Sequence, residues 1–237
     1  MERRWLDEAA TMKALLLVKP LLWMNRWLLL LLMLWPYGMA AVLLAGGMQP
    51  APDDVLSVLK QESMYGIALV GFNGAALLGN EQRSRRIIMV LARAVSRSEY
   101  LLALLLAAWV PLLLYVTGFA VSACLLVSLA GASLQVVWKM MLLQLLAGVW
   151  LACLSVGFSI FLPSILASLA ALGTASALTY LDGLGPGRLL AGMMRMPLTA
   201  TPPVNLVDVL VTLAGSAVVF AVASVAFARR DLNLSAD

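Results

Sequence analysis

Histidine is absent from this sequence, and cysteine nearly so, with Cys124 and Cys153 alone. The commonest general acid–base group and the commonest metal ligand are therefore missing. Two widely spaced cysteines make no metal-binding cluster, and both sit in apolar runs, where a small buried hydrophobe is the plain reading. No Gly-x-Ser-x-Gly elbow occurs, and no glycine-rich phosphate loop ending in Lys-Ser/Thr. Asp182 and Asp208 flank a Gly/Pro-rich stretch and could form a carboxylate pair, but acids beside helix ends more often cap or face solvent. No catalytic set emerges.

Charge is the second deficit. Only 12% of the 237 residues are charged and 63% are hydrophobic, against about 25% charged in an ordinary soluble domain. Such a chain cannot cover its apolar surface with polar groups, so a lipid bilayer is the expected solvent. Residues 1–20 carry acids and bases throughout, which is unlike a cleavable leader.

What the sequence has in quantity is long uncharged runs. Trp27–Gly46 and Val209–Ala228 are 20 residues each, Ser63–Asn80 is 18, Tyr100–Trp138 is 39 and Met140–Leu181 is 42. A spanning helix needs roughly 20 apolar residues. The runs predict an all-α integral membrane protein with six spans over 27–45, 62–79, 100–127, 137–161, 163–181 and 207–228. Hydropathy alone also allows five or seven, because the two longest runs hold one or two helices each. Gly131, Ala132 and Ser133 supply a turn inside the first long run, and Pro163 breaks the second. Pro36 falls inside the first span. Gly66, Gly71, Asn73 and Gly74 make the second the weakest by hydropathy and mark it for helix–helix contact.

The remaining segments are assigned by charge and periodicity. Residues 1–26 place Trp5, Ala9, Met12 and Leu16 on one face, predicting an interfacial amphipathic helix that ends near Pro20. Residues 182–205 form an outer loop with a short apolar stretch from Arg188 to Met196. With six spans both ends share one side. That side collects 12 of the 16 basic residues: five in the amino end, five in 81–99 and two in the tail. Lys60, Lys139, Arg188 and Arg195 fall opposite, so the richer side is expected to be cytoplasmic. The spans hold almost no charges. Ion-coupled carriers commonly place ionisable groups within spans, so this scarcity argues for energy delivered by a partner.

The charged interior segment 81–99 carries most of the functional signal. Its five arginines would cost roughly 12–18 kcal/mol to bury in a bilayer, so it does not cross. Ile87, Ile88, Val90, Leu91, Ala94 and Val95 make an apolar stripe at helical spacing. Two readings stay open: an amphipathic helix that lies under the bilayer or docks on a soluble partner, and a positive-inside loop with no further role.

From Glu81 to the closing Ala94-Val95-Ser96-Arg97-Ser98-Glu99-Tyr100, this segment resembles the ABC-2 class of ABC transporter permeases. That family has a glutamate after its second span, then a short helix and a Pro-Val-Ser-Arg-like turn. The ending Phe227-Ala228-Arg229-Arg230-Asp231-Leu232 is similar to the family's last residues, and the layout agrees over nearly the whole chain. Ala94 stands where the family has proline, Arg85 and Arg86 where it often has Gly-Thr, and the lysine early in its third span is missing.

The resemblance implies a type V exporter-like permease fold in a bacterial cytoplasmic (inner) membrane, both termini cytoplasmic. It implies a second permease copy or paralogue beside this chain and a soluble ABC ATPase subunit beneath it. ATP and Mg would belong to that ATPase, leaving this chain without a cofactor, a metal or enzymatic activity. The ATPase-coupling residues would be Glu81, Arg85, Arg86, Arg93, Ser96 and Arg97. No nucleic acid partner is expected. The rival class is a membrane scaffold, assembly factor or lipid-modifying enzyme.

Overall fold

The computed structural model describes Val18, Leu22 and residues 26–45, 50–83, 96–180, 185–197 and 204–229. The described residues form seven helices and no strand. They are α1 (Arg26–Leu44), α2 (Pro52–Arg83), α3 (Arg97–Leu129), α4 (Gln135–Ser159), α5 (Ser164–Tyr180), α6 (Pro186–Arg195) and α7 (Leu206–Arg229). Three of them, α3, α4 and α7, are long and apolar enough to cross a membrane, and α1 and α5 are shorter apolar helices. The apolar stripe of 87–95 lies outside the described residues, as does the predicted interfacial helix over 1–26 apart from Val18, Leu22 and Arg26.

Local chemistry explains where α3 begins and ends. Ser96 and Glu99 form a capping box: the Glu99 amide donates to Ser96 Oγ (3.2 Å), and the Ser96 amide donates to Glu99 Oε2 (2.7 Å). Two of the orphan amides of the first turn are thereby satisfied. At the far end Gly131 adopts φ +67°. Its amide donates to Ser128 O at 3.1 Å, and the Ala132 amide to Val127 O at 3.0 Å. This pairing is a Schellman motif, which needs a left-handed residue and so selects glycine. Pro163 cannot continue the hydrogen-bond ladder of α4; α5 restarts at Ser164, with the Ala167 amide on Pro163 O at 2.9 Å.

Helix α4 is the centre of the bundle and contacts α2, α3, α5, α6 and α7, while α1 packs mainly on α3. Small residues set the close approaches. A side chain at Gly118 would meet the carbonyl oxygen of Met33 at 2.5 Å, so only glycine lets α1 pack there. Pro111, inside α3, has no amide for the carbonyl of Ala107 one turn back. Asn73 of α2 takes that role, its Nδ2 donating to Ala107 O at 3.2 Å. A polar residue in a weakly apolar helix thus repairs a proline break in its neighbour, at about 1 kcal/mol for such a bond.

Helix α2 departs furthest from the sequence expectation. The segment anticipated over 62–79 belongs to a 32-residue helix starting at Pro52. Asp53 and Asp54 sit in its first turn, where the helix dipole favours acids. Glu62 is therefore an interior residue of the helix, not its first.

Candidate functional site

At one end of the bundle α2, α3 and α7 are tied together around a buried carboxylate. Glu81, two residues before the end of α2, is 4% exposed. The Tyr100 hydroxyl, from the first turn of α3, donates to its Oε2 at 3.4 Å. The Tyr100 ring stacks on Phe227 of α7, centroids 6.3 Å apart and planes 18° from parallel. Both rings are fully buried. Arg97 completes the tie, its Nη1 donating to the carbonyls of Phe227 (3.1 Å) and Ala228 (2.7 Å). These belong to the last turn of α7, whose carbonyls lack partners in their own helix and carry the negative end of its dipole. A guanidinium meets both needs.

Of the six residues expected to couple to a partner, the structure brings Glu81 and Arg97 into this knot and makes Ser96 the cap of α3. Each has a role within the chain. Arg85, Arg86 and Arg93 lie outside the described residues.

A second polar group lies deeper. The Glu62 side chain is 0% exposed, and neither carboxylate oxygen has a hydrogen-bond partner. Next to it in sequence, the Ser63 hydroxyl donates to Leu59 O (2.8 Å) and accepts from Gln144 Nε2 of α4 (2.6 Å). Gln144 Oε1 is buried without a partner. From α3, the Tyr115 hydroxyl donates to the Glu62 backbone carbonyl at 2.7 Å. Gly66 makes room for this, since a Cβ there would stand 2.7 Å from two Tyr115 ring carbons. Sequence reasoning missed this group by treating Glu62 as a span boundary. The signal available was Gln144, the one side-chain amide in a 42-residue uncharged run and the fifth residue of it.

Two further features complete the picture. Helices α2, α5 and α6 enclose a groove of about 400 Å³, lined by Ile67, Leu172, Ala175 and Leu190, with Tyr180 and Arg195 also on its wall. Asp208 of α7 accepts from the Gly185 amide at 3.1 Å and lies 3.9 Å from Arg188 Nη1. It fastens α6 to α7, the structural role expected of an acid at a helix end. No group of three or more His, Cys, Asp or Glu that could hold a metal is present among the described residues. Cys124 and Cys153 are unpaired thiols.

No family model matches the chain, and no curated protein matches it.

Proposed function

We propose that this chain is the membrane-spanning subunit of an ABC transporter of the ABC-2 class, an exporter powered by a separate ATPase subunit. In this reading α1 to α5 and α7 are six spans, and α6 belongs to the outer loop. The chain sits in a bacterial inner membrane with both termini in the cytosol. It pairs with a second permease copy or paralogue, and the path for substrate runs between them.

The observation that carries the reading is the arginine-bearing segment between α2 and α3, ending in Ala94-Val95-Ser96-Arg97-Ser98-Glu99-Tyr100. Arg85, Arg86 and Arg93, with Arg83 and Arg97 at the flanking helix ends, keep it out of the hydrocarbon, and its apolar stripe suits a groove on a soluble protein. The knot at Glu81, Tyr100, Arg97 and Phe227 supports the same reading. A force applied to this segment reaches the ends of α2, α3 and α7 together, as a lever between an ATPase and the bundle requires. The groove between α2, α5 and α6 suits an apolar substrate.

Arg97 holds α7, so its loss would damage fold and coupling alike. The informative residue is Arg93. Co-expression of the chain with an ABC ATPase, sought in the adjacent reading frames, should yield a complex that hydrolyses ATP. Arg93→Glu is expected to lower assembly or hydrolysis at least tenfold. A complex that assembles and hydrolyses normally with Arg93→Glu contradicts the coupling role. Co-purification with other membrane proteins and no ATPase would favour a scaffold.

A further inference from the structure

We propose that Glu62 and Gln144 form a buried binding site for a small monovalent cation, a proton or an alkali ion, between α2, α3 and α4. Glu62 is wholly enclosed, and both its oxygens lack partners. Gln144 is held to the adjacent Ser63 by its amide nitrogen, and its buried amide oxygen lacks a partner as well. All three vacancies are acceptors, so the missing species brings donors or positive charge.

A water molecule could donate to such oxygens but would leave the carboxylate's charge uncompensated. Burying an unpaired carboxylate costs several kcal/mol. The charged and titratable groups that neighbouring elements bring are few. Helix α3 contributes Tyr115, whose hydroxyl is committed to the Glu62 carbonyl. Helix α4 contributes the uncharged Gln144, with Lys139 more than a turn earlier. On α2 itself, Lys60 is half-buried and Tyr65 is exposed, its ring packed edge-on against Trp35 of α1.

The cation is monovalent because the site offers one formal negative charge. It is small because Glu62 has no exposed surface through which an organic cation would enter. Glu62 lies about 28 Å along α2 from Glu81, at the helical rise of about 1.5 Å per residue, so the group sits toward the end of the bundle opposite the knot. A buried ionisable side chain in an apolar bundle is costly, and such residues mark ion or proton pathways. The site also gives the bundle a charge-exchange point that energy from an ATPase does not require.

The test compares the full chain with Glu62→Gln, a neutral near-isostere, by thermal unfolding in detergent. In one arm sodium or potassium replaces N-methylglucamine at fixed pH and ionic strength. In the other, pH is stepped at low alkali concentration. An alkali site predicts a wild-type midpoint that climbs with the logarithm of sodium or potassium, and a flat Glu62→Gln response. A proton site predicts no alkali response and a wild type that loses stability against Glu62→Gln as pH rises, because only its folded state holds the proton. Infrared spectra read the carboxyl directly: a protonated C=O band in wild type, absent from Glu62→Gln, marks the proton. Gln144→Leu should weaken whichever response appears several-fold, and it serves if Glu62→Gln does not assemble. Wild type and Glu62→Gln behaving alike in both arms would overturn the site. So would a Gln144→Leu protein indistinguishable from wild type.

Discussion

Helix α2 carries two buried carboxylates about five turns apart, and they have opposite surroundings. Glu81 meets a tyrosine hydroxyl, beside an arginine that closes the end of α7. Glu62 meets nothing that donates to its oxygens. The first arrangement is what a stable fold makes of a buried acid: a neighbouring hydroxyl donates to it, and three helix ends become one unit. The second has no structural benefit and marks a place kept for something else. A buried polar group therefore argues for function in proportion to what its surroundings leave unsatisfied, and depth alone says little.

Substitutions at the two sites test this contrast. The largest effect is expected at the apolar base of the Glu81 knot. Phe227→Ala leaves Tyr100 without its stacking partner and opens a cavity, costing about 3 kcal/mol or more in thermal or denaturant unfolding of the detergent-solubilised chain. Next, Gly66→Ala pushes a methyl group into the Tyr115 ring and drives it off the Glu62 carbonyl. Overpacking of this kind costs about 2 kcal/mol, and the midpoint should fall accordingly. Arg97→Gln removes two hydrogen bonds from a charged donor to the end of α7. It should cost about 2 kcal/mol and raise amide hydrogen exchange in the last turn of α7.

The smallest effect is the most discriminating, because it has opposite signs at the two sites. Glu81→Gln should destabilise by about 1 kcal/mol through loss of the ionised acceptor. Glu62→Gln, measured in alkali-free buffer above neutrality, should leave the midpoint unchanged or raise it, since it removes an unpaired buried charge. Equal losses at both positions would erase the distinction.

Much of the helical architecture was legible because it rests on local signals. Gly131 ends α3 through its left-handed conformation and Pro163 separates α4 from α5; the Ser96–Glu99 cap was there to be read, but the family resemblance assigned Ser96 to coupling instead. The true start of α2 was not legible, because residues 52–61 are too polar to extend an apolar run. They are helical because acids at the first turn and long-range packing of Val55 and Leu59, both fully buried, favour it. The knot at Glu81 was half visible: the residues stood out, but their partners Phe227 and Ala228 lie some 130 positions away and no periodicity links them. Asn73 looked like a contact residue, yet the orphaned carbonyl it serves follows only from the register of α2 against Pro111. Such pairings belong to tertiary structure, which one-dimensional patterns do not encode.

The proposed function requires the segment between α2 and α3 to lie in the cytosol, where an ATPase can grip it. Ser98 is exposed at its edge, and a cysteine placed there can be labelled in a background lacking Cys124 and Cys153. A membrane-impermeant maleimide is expected to react with the Ser98→Cys protein in inside-out vesicles and to leave it untouched in right-side-out ones. Reaction in right-side-out vesicles would place the arginines outside the cell, beyond the reach of any ATPase.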